Sequence, residues 1–147
     1  MSPAMASADV VSTLDMSIKG FKGKGAAWAN ETRARLAGIR QDMQALARQT
    51  RAVRGHDYLL TVHVRKHNGQ HGLRWRLAGR PARHVSWAAI AGQIDLLPSA
   101  LADWYRQAHS AALCLNHQEM AARHELRLAE RYREEVFALR TPSQRTS

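Results

Sequence analysis

Apolar positions recur along this chain with two different periods. Between residues 26 and 53, Trp28, Leu36, Ile39, Met43, Leu46 and Val53 return every three or four residues, which predicts one long amphipathic helix. Arg33, Arg35, Arg40, Arg48, Arg51 and Arg54 lie mainly off that stripe, and Gly55 sits where a helix commonly stops. Over 58–77 the period drops to two. Tyr58, Leu60, Val62 and Val64 alternate with Leu59, Thr61, His63 and Arg65, while Leu73, Trp75 and Leu77 alternate with Arg74 and Arg76. Asn68-Gly69 between these runs predicts a β-hairpin closed by a two-residue type I′ turn. In that register Val64 faces Leu73, Val62 faces Trp75, Leu60 faces Leu77, His63 faces Arg74 and Thr61 faces Arg76. A slip of one residue would mix the apolar and basic faces, so the clean separation supports the pairing.

Beyond the hairpin the helical period returns. Ser86 reads as the N-cap of a short helix, 86–96, with Trp87, Ile90, Ile94 and Leu97 on one side. Pro98 suits the first position of a last helix, 98–139, and no Gly or Pro follows until that helix ends. At its full length it would measure roughly 60 Å. Leu101, Tyr105, Ala108, Ala112, Leu115, Ala122, Leu126, Ala129 and Val136 form a heptad-like stripe, which Glu119 and Arg133 interrupt. The second half of this helix is expected to form a dimer seam or to dock a partner. The predicted fold class is therefore α+β and mostly helical, with a long N-terminal helix and a very long C-terminal helix on one antiparallel hairpin. Residues 18–139 are expected to form a single domain between a mobile tail, 1–17, and a polar tail, 140–147.

Composition narrows the function classes. The 147 residues, 45% hydrophobic, suffice for one ordinary domain with a real core. No apolar run is long enough to span a membrane, and the start lacks the pattern of a signal peptide. The single cysteine, Cys114, precludes an intramolecular disulfide and any CxxC metal site. These features point to a cytoplasmic protein with no membrane partner. The net charge of +10 and a sequence pI near 11.0 point to a polyanionic partner. The charge is polarised: residues 18–86 hold 15 Lys and Arg against three acids, 1–17 carry a net −2, and 87–147 are neutral. Such polarity argues more strongly for an anionic partner than net charge does.

The candidate binding residues follow from that distribution. Lys19, Lys22 and Lys24 alternate with glycines in Lys19-Gly20-Phe21-Lys22-Gly23-Lys24-Gly25. Glycine lets a backbone approach phosphate closely, although the P-loop spacing is absent and a solvated linker has the same composition. On the hairpin, Trp75 between Arg74 and Arg76 looks like a stacking platform, but the alternation turns it toward the core. Arg65, Arg74 and Arg76 on the opposite face, with Arg80 and Arg83 in the following loop, are the better phosphate contacts. The expected function is largely sequence-tolerant binding of nucleic acid, DNA or RNA, through the hairpin face. The alternative is a protein-interaction module or inhibitor, with the basic face or the long helix as its docking surface.

Catalytic and cofactor chemistry find little support. His63, His67 and His71 lie about the hairpin without converging, and His117 and His124 are seven apart, so neither set has a metal-ligand spacing. Cys114 lies in an Ala- and Leu-rich segment and reads as a buried small hydrophobe. No metal, cofactor or catalytic residue is assigned, and an enzyme is not expected.

Three stretches taken together carry a resemblance. They are the hairpin with Gly72-Leu73-Arg74-Trp75-Arg76, the helix start His84-Val85-Ser86-Trp87, and residues 116–132. They resemble an uncharacterised family of small proteins encoded on integrating conjugative elements of proteobacteria, over about residues 26–139. The resemblance implies a bacterial cytoplasmic accessory protein of a mobile element and carries over no catalytic residues. It adds host nucleoprotein machinery, such as a CRISPR effector complex, to the expected partners.

Overall fold

The computed structural model describes residues 24–53, 57–79 and 83–140. Their order is α1 (Lys24–Ala52), β1 (Tyr58–Val64), β2 (His71–Leu77), α2 (Trp87–Ile94) and α3 (Ser99–Arg140). The class is α+β: mostly helical, with one two-stranded antiparallel sheet, a long N-terminal helix and a very long C-terminal helix. The helix predicted to start at residue 26 begins at Lys24, so Lys24 and Gly25 belong to the helix and not to a glycine loop. The sites of the expected stop at Gly55 and of both tails, except Arg140, fall outside the described residues. Ser86 caps α2, its Oγ accepting a hydrogen bond from Ala89 N at 3.2 Å.

Contacts divide the chain into two compact units. The larger, residues 32–125, carries the hairpin. Its core holds Met43 and Ala47 of α1, Leu60, Leu73 and Trp75 of the hairpin, Ile90 and Ile94 of α2, and Ala102, Tyr105, Ala108 and Ala112 of α3. The α3 contribution is small apart from Tyr105, because alanine lets the helix axis approach its neighbours closely. In the smaller unit, Ala29 and Ala129 are buried and the rings of Trp28 and Tyr132 lie 6.2 Å apart. Gly25 passes beneath Tyr132, where an added Cβ would come within 3.2 Å of the ring.

The apolar face of the hairpin is buried as the alternation predicts, with Leu60, Leu73 and Trp75 against the helices. The register, however, is two residues away from the predicted one. Leu60 pairs with Trp75, Val62 with Leu73, Thr61 with Arg74, His63 with Gly72 and Leu59 with Arg76. The cause lies in the turn. Only Gly69 has positive φ, +69°, whereas a type I′ turn needs two such residues. Asn68 instead uses its Oδ1 to accept from Gln70 N at 3.0 Å. The loop therefore lengthens to four residues, closed by Arg65 N to Gln70 O and Gly69 N to Arg65 O, both 2.9 Å. A shift of two preserves the faces because strand side chains alternate with period two.

Side chains satisfy backbone groups of Leu60 on β1 and Leu73 on β2. Thr50 Oγ1 accepts from Leu60 N at 2.9 Å and donates to Ala47 O at 2.7 Å. Asn116 of α3 grips Leu73 twice, accepting from its N–H at 2.7 Å and donating to its carbonyl at 3.3 Å. Val85 N donates to Trp75 O at 3.0 Å, which lays the segment before α2 along β2. Cys114 is exposed on α3, contrary to its expected burial. The α3 stripe turns Ala112 inward two residues earlier, which leaves Cys114 on the solvent side.

Candidate nucleic-acid interface

The outer face of the hairpin carries Leu59, Thr61 and His63 from β1 and Arg74 and Arg76 from β2, with Arg65 just beyond β1. A third row comes from the segment before α2. His84 bridges to Arg76 in antiparallel fashion, so its ring joins the same face. The rings of His63 and His84 meet edge to face, with centroids 5.8 Å apart. A guanidinium nitrogen of Arg76 lies 3.4 Å from His84 Nε2. Arginine only donates, so this contact makes Nε2 the acceptor and places the imidazole proton on Nδ1.

The electrostatics of this face are one-sided. Partial burial, then the charges of Arg74, Arg65 and Arg76, hold the His63 imidazole below its ordinary range. Burial, then Arg76, Arg74 and His63, do the same for His84. Among the described residues no carboxylate pairs with Arg65, Arg74 or Arg83. Elsewhere arginines are neutralised: Arg35 by Glu125, Arg40 and Arg123 by Glu119, and Arg106 by Asp95 and Asp103.

The predicted residues divide accordingly. Arg65, Arg74 and Arg76 share the hairpin face, and the exposed Arg83 adjoins His84 in sequence. Lys24 is the first residue of α1 and belongs to the smaller unit. Lys19, Lys22 and Arg80 lie outside the described residues. His63, expected across from Arg74, faces Gly72 instead.

Three groups were not legible beforehand. His84 gave no signal, because its place on the face depends on a bridge between segments remote in pattern. Glu119, read as a break in the α3 stripe, is completely buried and serves as a polar node. Its Oε1 accepts from Arg40 at 3.1 Å and from His71 N at 3.3 Å, while Arg123 Nε lies 3.4 Å away. Arg40 also donates to Gly69 O at 3.2 Å, so the node grips the hairpin turn on both sides. The third is His109, whose Nδ1 accepts from Trp75 Nε1 at 3.0 Å and whose ring stacks on Trp87 at 4.1 Å. Burial holds the His109 imidazole below its ordinary range. Together these contacts anchor the inner face of β2 and keep the outer face in place. Among the described residues no group of three or more His, Cys, Asp or Glu side chains is placed to hold a metal ion. No helix described is long and apolar enough to cross a membrane.

Comparison with protein families, with curated proteins and with solved structures finds no match for this chain.

Proposed function

We propose that this protein binds nucleic acid through phosphate contacts from the outer face of the hairpin, largely without regard to sequence. The observation that carries this reading is the gathering of Arg65, Arg74 and Arg76 with two imidazoles on one face, where among the described residues no carboxylate pairs with Arg65 or Arg74. Like charges on adjacent strands are unfavourable unless an anion or water relieves them, so the face is poised to accept an anion. A hairpin also has the width to lie along a phosphate backbone or to enter a major groove. Such an activity suits an accessory protein of a mobile element acting on DNA or RNA in the cytoplasm.

Fluorescence anisotropy with single- and double-stranded oligonucleotides tests the proposal. About four phosphate contacts predict an affinity that falls on the order of 100-fold when salt rises fourfold. Arg74→Glu with Arg76→Glu should abolish low-salt binding. Unchanged affinity in that variant would remove the hairpin face from the interface.

A second reading has its own observation. Leu128, Tyr132, Phe137 and Leu139 near the end of α3 are between 40% and 79% exposed. Large apolar side chains left in water suit a docking helix, either a homodimer seam or a contact with a host nucleoprotein complex. Leu128→Glu with Phe137→Glu should then abolish self-association in sedimentation equilibrium, or capture of the partner complex, and spare oligonucleotide binding.

A further inference from the structure

We propose that His63 and His84, with Arg74 and Arg76, form a proton-linked seat for a nucleic-acid phosphodiester, in which the arriving phosphate draws protons onto the imidazoles. This rests on the reading that the outer hairpin face takes phosphate, and it adds how pH governs that face.

Arg76 and His84 meet across the outer face of the hairpin. At 3.4 Å the guanidinium points an N–H at Nε2, which it can do only while that nitrogen offers a lone pair. Protonating His84 without an anion sets N–H against N–H and adds a cation beside Arg76 and Arg74. For His63 the surroundings are alike: Arg65 beyond its own strand, Arg74 and Arg76 from β2, and His84 from the segment before α2. Among the described residues no carboxylate pairs with Arg65 or Arg74, the two cations that flank His63 beyond its own strand and on the next. Both imidazoles are therefore held neutral, in keeping with the lowered affinity of each for a proton.

Burial is the larger cause and persists, but an anion offsets the arginine charges and removes the clash at Nε2. A phosphate oxygen seated between Arg76 and His84 accepts from both, so Nε2 gains by carrying a proton. An opposite charge within about 4–6 Å favours the charged imidazole. The His63 ring, edge to face against His84, lies near enough to feel the same charge. The balance is simple: each imidazole takes one proton from solvent, no covalent bond changes, and the phosphodiester stays a monoanion. By linkage, a group that gains a proton on binding makes affinity rise as pH falls.

The test uses the full chain and a labelled oligo(dT), whose thymines and phosphodiesters do not titrate in the working range. Anisotropy is measured at constant ionic strength from about pH 8 down to about pH 5.5, where histidine changes charge. Each linked proton should tighten binding by up to about tenfold per pH unit. Calorimetry in two buffers of different ionisation enthalpy should show net proton uptake. His63→Gln with His84→Gln should flatten the pH slope and reduce the uptake. Ring titrations of the wild-type chain decide the matter independently, because the His63 and His84 midpoints should rise when oligo(dT) is added. Salt-sensitive binding without proton uptake would overturn the linkage and leave phosphate binding standing. So would a slope that survives the double variant, since it would belong to His67 or His71. Midpoints that oligo(dT) leaves unmoved would do the same. Absence of binding at every pH would overturn the phosphate reading itself, and this inference with it.

Discussion

Replacing Glu119 by Gln should be the most damaging near-isosteric change in the larger unit. The substitution keeps the volume and removes one negative charge. Glu119 has no exposed surface; its Oε1 accepts from Arg40 and the His71 amide and lies 3.4 Å from Arg123 Nε as an ion pair. After the change, guanidiniums with side-chain exposures of 30% for Arg40 and 13% for Arg123 lose their counter-charge. Removing one partner from a buried ion pair costs about 3–5 kcal/mol. Arg40 retains enough water to relieve part of that, so the lower end applies, about 3 kcal/mol. For a chain of this size the melting temperature should then fall by roughly 6–12 °C. Tryptophan-detected urea unfolding gives the free energy directly, Trp75 being buried in the same core. Amide exchange gives a second readout: the His71 and Gly69 amides should exchange faster than the drop in global stability explains, because the node holds the turn. Replacing Arg40, Glu119 and Arg123 together by Met, Leu and Met should recover much of the loss, since the apolar set carries no stranded charge. A cost below about 1 kcal/mol for Glu119→Gln would refute the account. It would mean that neither the charge nor its hydrogen bonds hold the turn.

Three further outcomes follow from the same contacts. Asn116→Leu strips two hydrogen bonds from the Leu73 backbone and should cost about 2–3 kcal/mol in urea unfolding, with faster exchange of the Leu73 amide. Gly69→Ala forces a Cβ onto a residue at φ +69° and should cost about 1–2 kcal/mol, whereas Asn68→Ala should cost less. His63, His84 and His109 all bind protons less well in the folded chain than at the ordinary value of 6.5. Below that pH the unfolded chain takes up more protons, so stability without ligand should decline on acidification and be fully restored above it. Urea midpoints at about pH 5.5 and about pH 7.5 check this, and a midpoint that rises on acidification would contradict it.

The helices and the two faces of the hairpin were legible because each rests on local periodicity. A stripe every three or four residues requires a helix to bury it, and strict alternation requires a strand. Trp75 could be assigned to the core on alternation alone, despite its arginine neighbours, and it is buried. Arg74 and Arg76 could be placed on the opposite face for the same reason, and a register error of two left that intact. The register itself was not legible. Asn-Gly permits a tight turn, but Asn68 spends its side chain on Gln70 N, and Arg40 and Glu119 dock the longer loop.

Patterning within one element therefore decides which residues face in, which face out, and that one face of the hairpin is basic. It does so because burial is imposed residue by residue at a fixed period. Tertiary contact decides what those faces meet. A carboxylate in an apolar stripe reads as a defect until Arg40 of another helix and the hairpin's His71 amide converge on it. A histidine in a connecting segment reads as solvent-facing until a single bridge to Arg76 lifts it onto the basic face. Distances between segments far apart in the chain set both outcomes, and no local period encodes them.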